Sequence, residues 1–201
     1  MQAIYNYVRD EILFGYNSDD YIPASKVLAD GYGQCNTKGT LFMALLRACD
    51  IPCRIHGFTI DKKLQRGAMT GIVYHSAPKN IFHSWVEVCL ENRWYELEGF
   101  ILDKAYLKQL QNRFTKCTGP FCGYGTAVKN FKHPMIDFNR NNTYIQSERI
   151  TQDFGIYDCP DTLLKEHHQE MSTIKTFAYK YIGRHLMNYN VKKIRRYFYG
   201  I

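Results

Sequence analysis

The sequence predicts an α+β fold in which one central helix packs against an antiparallel sheet and further helices follow toward the C-terminus. Three observations favour this class: a helical apolar stretch over residues 35–48, two strand-like stretches joined by only Glu-Asn-Arg, and helical patterns after Asp103. The chain has 201 residues, 45% of them hydrophobic and 22% charged, which is enough for one sizeable core. We therefore expect a single domain over residues 1–201.

Helices dominate the first quarter of the chain. Residues 2–14 carry apolar side chains near helical spacing, and Ser25 can cap a short helix that stops at Gly31. From Cys35 to Ala48 the pattern is apolar nearly all round, which is typical of a buried central helix. Pro52 follows and ends this helix.

The sheet is predicted from three stretches rich in β-forming residues, at 54–60, 82–90 and 94–98. The last two form a hairpin because their connection is so short. Residues 62–80, between the first two strands, are predicted to be a loop, and loops of this length often shape a site.

The second half is predicted to be largely helical, with an irregular glycine-rich and aromatic stretch at 117–131. Helices are expected from Asp103 to about Arg113, from Pro160 to about Tyr181, and from Val191 to Tyr199. The formal net charge is +7, and residues 174–201 contain seven Lys and Arg but no Asp or Glu. The positive charge is therefore concentrated in a C-terminal tail.

Composition argues against several classes of protein. No apolar run approaches the roughly 20 residues that a membrane span requires. Seven cysteines cannot all pair, and their irregular spacing argues against a disulfide scaffold, so we expect reduced thiols and a cytoplasmic location. Cys117, Cys122, His133 and Cys159 are too scattered for a zinc site, so no metal or cofactor is expected.

Cys35 lies where a glycine-containing loop becomes a helix. A thiol at that position is close to unpaired backbone N–H groups and the positive end of the helix dipole, which stabilise a thiolate. The same N–H groups can stabilise an oxyanion. Lys38, one turn further on, either favours the thiolate or is simply an exposed, solvated lysine.

A thiolate mechanism also needs an imidazole and a group that orients it. His83 begins the strand HSWVEV. If the hairpin turns at residues 91–92, Leu90 pairs with Arg93, and even-numbered residues of the returning strand share the face of His83. This register admits Glu96 and Glu98, of which Glu98 is the closer, and it excludes Asp103.

Four pieces of the sequence, in this order, resemble the core of the transglutaminase-like superfamily, a branch of the papain-like folds with a Cys, His, Asp triad. They are YGQC at 32–35, LRACDIPCR at 46–54, HSWVEV at 83–88 and WYELE at 94–98. The resemblance covers about residues 24–100, leaving 101–201 as a helical extension. It implies that Cys35 is the nucleophile and His83 the base, with Glu98 where the family usually has Asp.

The resemblance implies a cysteine-nucleophile enzyme that acts on peptide or glutamine-type amides through an acyl-thioester. Such an enzyme is either a protease or amidase, or an acyl transferase. The family's second oxyanion donor has no motif here, and Tyr32 and Gln34 are candidates only. The alternative is a catalytically impaired binding module that uses the basic tail.

The tail VKKIRRYFYG suggests contact with nucleic acid or an anionic membrane surface. Four basic residues are more typical of a solvated helix packed by its apolar side, so we do not expect a nucleic-acid partner. A peptide or protein amide substrate is the expected partner, and the sequence gives no oligomeric state.

Overall fold

The computed structural model describes residues 1–196. Its helices are α1 (Gln2–Asp10), α2 (Ala24–Asp30), α3 (Cys35–Arg47), α4 (Gly71–Ser76), α5 (Lys104–Arg113), α6 (Pro160–Glu166), α7 (Thr173–Ala178) and α8 (Arg184–Arg196). Its strands are β1 (Leu13–Phe14), β2 (Tyr32–Gly33), β3 (Cys53–Asp61), β4 (Asn80–Leu90), β5 (Arg93–Leu97), β6 (Phe121–Gly123), β7 (Thr126–Val128) and β8 (Ile150–Tyr157). A π-helical turn, Tyr179–Gly183, joins α7 to α8.

The main sheet has four antiparallel strands in the order β5-β4-β3-β8. The β4–β5 hairpin turns at Glu91 and Asn92, which have φ values of 52° and 62°, as a two-residue type I′ turn requires. Leu90 pairs with Arg93, so the predicted register is confirmed. The predicted α+β class is confirmed as well.

Helix α3 packs on the sheet as the buried centre of the fold. Phe42, Met43 and Leu46 are at most 1% exposed and belong to the main apolar cluster. At the first turn of α3, the hydroxyl of Ser84 on β4 donates to Oδ1 of Asn36 at 2.8 Å. The helix therefore meets the sheet through apolar packing along its length and through one buried hydrogen bond at its N-terminus.

The prediction that residues 62–80 form a loop is wrong in part. The segment contains a 3₁₀ turn at Lys62–Gln65 and helix α4. The predicted irregular stretch at 117–131 contains the β6–β7 hairpin. Strand β8 was not predicted at all, because its pairing with β3 is interrupted by register shifts and its burial does not alternate regularly.

The single helix predicted from Pro160 to about Tyr181 is also wrong. Helix α6 ends at Glu166, and tertiary contacts hold the next residues out of helical geometry. The ring of His167 stacks on Phe154 of β8 with centroids 4.1 Å apart, and the side chain of Gln169 accepts from the N–H of Phe82 at 2.9 Å. Ser172 then caps α7.

The basic helix predicted from Val191 to Tyr199 is the end of a much longer helical segment, which runs through the π turn from Thr173 to Arg196. Residues 197–199 of that prediction lie outside the described residues. Its inner face is buried through Met187, Val191 and Ile194, so the tail packs by its apolar side.

Arg195 ties this C-terminal helix to the core. Its guanidinium donates to both carboxylate oxygens of Asp103 at 3.1 and 2.7 Å and to the carbonyl of Phe14 at 2.9 Å. Burial raises the pKa of Asp103, but Arg195 and the N–H groups of Phe14 and Tyr106 outweigh it and lower that pKa below its usual range. Arg195 is therefore a structural residue rather than part of a solvated basic patch.

Lys38 is not exposed to solvent, so of the two alternatives for this residue the solvated lysine is wrong. It is fully buried, and its Nζ donates to the carbonyls of Arg9 at 3.2 Å and Ile101 at 3.0 Å. Burial lowers the pKa of Lys38 to about 7, although Asp103 and Asp10 partly oppose the shift. The amine thus links α3 to α1 and to the segment after β5.

We predict that Lys38 makes the free energy of unfolding of this protein increase as the pH rises above 7. Between pH 7 and about 10 the unfolded chain holds a proton on this lysine that the folded chain lacks, so the free energy of unfolding rises with pH. The free energy of unfolding of the parent, minus that of Lys38→Met, should therefore rise by about 2 kcal/mol from pH 7 to 9, as measured by urea denaturation. Lys26→Met, on an exposed side chain, is the control, and a pH-independent difference for Lys38→Met would contradict the assignment.

Candidate active site

Cys35 is the first residue of α3 and is half-buried. Gly33, the last residue of β2, lies two residues before it and packs closely against the first turn of this helix. A Cβ at that position would lie 2.7 Å from Oγ1 of Thr37 and 2.9 Å from Cγ of Lys38, so no larger residue fits without a shift. Glycine at 33 therefore allows the approach that places Cys35 at the helix N-terminus.

A network of side chains caps this helix and determines what Gln34 can do. The Oγ1 of Thr37 accepts from the N–H of Gln34 at 3.1 Å and donates to Oδ1 of Asn17 at 2.7 Å. The Gln34 amide accepts from the N–H of Asn17 at 2.8 Å and donates to Asp20 at 3.0 Å. The oxygen and one N–H of that amide hold the preceding loop, so at most the second N–H of Gln34 could serve as an oxyanion donor.

His83 lies on β4 and is fully buried. Its Nε2 lies 2.7 Å from Oε1 of Glu98. Since an ionised carboxylate can only accept, Nε2 carries a proton. The other ring nitrogen, Nδ1, is buried and bonds no nitrogen or oxygen atom, and a side-chain hydrogen bond with Cys35 is among the causes that raise the pKa of His83, so Nδ1 is the nitrogen that remains for the thiol.

The charge on His83 depends on both neighbours. Burial alone lowers its pKa, but the Cys35 thiolate and the Glu98 carboxylate outweigh burial and raise the pKa to about 10. At neutral pH the imidazole is therefore protonated when the thiolate is present. Such a thiolate–imidazolium pair is the reactive form of a nucleophilic cysteine.

Glu98 is also fully buried, and both of its oxygens are occupied. Oε1 faces His83, and Oε2 accepts from the backbone N–H groups of Ile145, Gln146 and Ser147 at 2.8, 2.8 and 3.1 Å. Three N–H donors stabilise the negative charge of a carboxylate that has no access to water. The extra methylene of Glu, relative to the Asp usual at this position, does not prevent contact with the imidazole.

The other acids considered from the sequence are engaged elsewhere. Glu96 accepts a hydrogen bond from the hydroxyl of Tyr144, and Asp103 caps α5 by accepting from the N–H of Tyr106. Strand β5 ends at Leu97, and Glu98 continues its direction by donating its N–H to the carbonyl of Thr143 at 2.9 Å. Of these three acids, Glu98 alone is brought to His83.

Aromatic side chains lie next to the imidazole on the same face of the sheet. Phe58 lies directly opposite His83 in the β3–β4 pairing, with ring centroids 6.5 Å apart, and the ring of Trp85 lies 4.1 Å from that of Phe58. All three side chains are at most 6% exposed. This apolar cover keeps water from the His83–Glu98 hydrogen bond and so strengthens it.

Sequence reasoning missed two sets of residues near the site. The N–H groups of residues 145–147 are backbone donors, so no side-chain pattern reports them. Tyr16 and Tyr179 are the second set: burial raises the pKa of both phenols, and a negative charge on Cys35 adds to the shift. Tyr179 comes from the π turn, and its hydroxyl donates to the carbonyl of Asn17 at 3.0 Å.

Two further findings concern residues 1–196 as a whole. Within them, no three His, Cys, Asp or Glu side chains are grouped in a way that would hold a metal ion, and Cys117, Cys122, His133 and Cys159 form no such cluster. None of the helices in that range has both the length and the apolar character needed to cross a membrane. All seven cysteines are free thiols.

Comparison with known proteins identifies the family. A search of curated proteins gives no significant match. The model of the transglutaminase-like superfamily matches residues 1–99, the part of the chain that carries Cys35, His83 and Glu98. Residues 1–99 of this chain are a domain of the transglutaminase-like superfamily.

Proposed function

We propose that this protein is a cysteine-nucleophile enzyme that acts on peptide or glutamine-type amides through an acyl-thioester. Cys35 is the nucleophile, His83 exchanges protons with it, and Glu98 orients His83. The observation that carries the proposal is the buried imidazole of His83, whose Nε2 is fixed by Glu98 while its Nδ1 has no other partner. Family membership supports the same chemistry.

In the first half-reaction, the Cys35 thiolate attacks the amide carbonyl and forms a tetrahedral oxyanion. N–H groups in the first turn of α3 that have no intrahelical partner can stabilise that charge. The carbon–nitrogen bond then breaks as the imidazolium of His83 donates its Nδ1 proton to the leaving amine. The products are an acyl-thioester on Cys35, a free amine and a neutral His83.

In the second half-reaction, water or a second amine attacks the thioester. The neutral Nδ1 of His83 removes the proton of the attacking group, and the thiolate of Cys35 leaves. Water gives a carboxylic acid, whereas an amine gives a new amide. The cycle ends with the thiolate–imidazolium pair restored.

The position of Glu98 argues against the alternative that this protein is a catalytically impaired binding module. An Asp-to-Glu change would weaken the triad if the longer side chain missed the imidazole. Here the carboxylate reaches Nε2 at 2.7 Å and is held on its other side by three N–H groups. This arrangement supports a competent site.

We predict that Cys35 reacts readily with iodoacetamide at neutral pH and that the reactivity depends on His83. Because the raised pKa of His83 keeps the imidazolium beside the thiol up to about pH 10, Cys35 in the parent should already be labelled well below pH 8. In His83→Ala, the rate near pH 6 should fall by about tenfold or more and then rise with pH. Mass spectrometry of the labelled peptide measures both rates.

The exposed Cys49, in the same chain, is the internal control, and its labelling should be the same in both proteins. If Cys35 labelled no faster than Cys49 in the parent, the thiolate–imidazolium pair would not exist in the free protein.

A second prediction separates the charge of Glu98 from its shape. In Glu98→Gln, one oxygen cannot serve both the three N–H groups and His83. If the oxygen stays on the N–H groups, the amide N–H faces Nε2 and moves the ring proton to Nδ1, so the nitrogen facing Cys35 can no longer accept a proton. We therefore expect a loss of labelling at pH 7 close to that of His83→Ala.

The matched control is Glu96→Gln, which changes the half-buried acid two residues earlier on the same face and should leave Cys35 labelling unchanged. Glu98→Asp keeps the charge but shortens the side chain, and an intermediate rate is expected. Parent-like labelling in Glu98→Gln would remove Glu98 from the proposed triad.

The amide chemistry itself is tested with an unstructured glutamine-rich protein and a biotinylated primary amine. An acyl transferase should attach biotin, whereas a hydrolase should release ammonia or new peptide ends. Cys35→Ala should abolish either product, and Cys49→Ala should not. Equal turnover by Cys35→Ala and the parent would refute the nucleophile assignment.

A further inference from the structure

The C-terminal helical segment presents a row of large apolar side chains to solvent. We refer to them as the outer face of α7 and α8. They are between 52% and 82% exposed: Ile174, Phe177, Tyr181, Ile182, Leu186 and Tyr189. A patch of this kind on a single element marks an interaction surface rather than scattered exposure.

The π turn is what makes these residues one face. In an uninterrupted α-helix, Ile182, Leu186 and Tyr189 would lie about 100° away from the stripe that begins at Ile174. The π turn at residues 179–183 takes up one extra residue and rotates α8 back by about that angle. Both stripes then point away from the core along a segment roughly 36 Å long.

The opposite side of the segment is fixed to the protein. Asn188 bonds both the N–H and the carbonyl of Tyr16, at 2.7 and 2.9 Å, and Arg195 pairs with Asp103. Met187, Val191 and Ile194 are buried. The outer face is therefore presented on a helix whose orientation is set by the core.

The charged side chains of this segment are all basic. Residues 173–196 contain no Asp or Glu. Five of their basic side chains are exposed: Lys175, Lys180, Lys192, Lys193 and Arg196. A second copy of the chain would bring these like charges together, which opposes self-association through this face.

We propose that the outer face of α7 and α8 binds the surface of an anionic phospholipid membrane, with the segment lying parallel to the bilayer. Ile174, Phe177 and Leu186 would enter the boundary between headgroups and acyl chains, where Tyr181 and Tyr189 also fit because their rings are amphipathic. The flexible lysines reach the phosphate and serine headgroups from the sides. A membrane that contains anionic lipid offers negative charge along the whole length of the segment, opposite to its exposed lysines and Arg196.

The test is co-sedimentation of the whole protein with vesicles of phosphatidylcholine alone and of phosphatidylcholine with phosphatidylserine at roughly 7:3. The parent should bind the mixed vesicles about tenfold or more tightly than the neutral ones. The double variant Phe177→Ser/Leu186→Ser should lose that binding. Lys192→Gln/Lys193→Gln should weaken it by about tenfold or more and reduce its dependence on salt.

Two control variants change exposed residues outside the segment. Ile72→Ser removes an 81% exposed apolar side chain from α4, and Lys129→Gln removes a cation whose side chain is 82% exposed. Both should bind like the parent. Unchanged circular dichroism and Cys35 labelling would show that the segment variants are folded.

Three outcomes would overturn the proposal: no sedimentation with either vesicle, equal sedimentation with both, or the same loss in the control variants. Binding to polyglutamate but not to the mixed vesicles would replace the membrane with an acidic protein partner. None of these results depends on whether the protein turns over an amide.

Discussion

The buried hydrogen bond between Nε2 of His83 and the carboxylate of Glu98 is the interaction on which the candidate site depends. Removing an ionised carboxylate from water is costly unless its oxygens are fully satisfied. For Glu98 these hydrogen bonds come from the backbone N–H groups of residues 145–147, which lie outside the region that the family model matches. Their segment is held beside β5 because Thr143 accepts from the N–H of Glu98 and donates to the carbonyl of Glu96. The second half of the chain is therefore needed to complete the environment of the first.

The relation between Cys35 and His83 is set by their neighbours in sequence. Asn36 follows Cys35, Ser84 follows His83, and the two side chains are joined by a buried hydrogen bond of 2.8 Å. Apolar packing of α3 on the sheet gives the approximate position of the helix, but such packing is not directional. The polar contact fixes how far the helix N-terminus lies along β4. The hydrogen bond between Ser84 and Asn36 therefore sets the position of the Cys35 thiol relative to Nδ1 of His83.

Local patterns predicted the parts of the fold that depend on local physics. The all-round apolar pattern predicted α3, and the short connection after Leu90 predicted both the hairpin and the register that brings Glu98 to the face of His83. Patterns failed where a distant contact decides the structure. The helix break after Glu166 depends on His167 stacking on Phe154, and the burial of Lys38 depends on the carbonyls of Arg9 and Ile101. No window of sequence contains both members of such contacts.

The C-terminal segment joins the outer surface of the protein to the cap of the Cys35 helix. On its inner side, Asn188 holds the backbone of Tyr16, and Tyr179 donates to the carbonyl of Asn17. Asn17 in turn binds the residues that cap α3, since its N–H donates to Gln34 and its side chain accepts from Thr37. A ligand on the outer face of α7 and α8 would therefore bind a helical segment that is joined to the loop capping α3 by the hydrogen bond from Tyr179 to Asn17. The π turn at 179–183 affects both sides of the segment. It aligns the apolar residues of the outer face, and it places Tyr179 against the loop that caps α3.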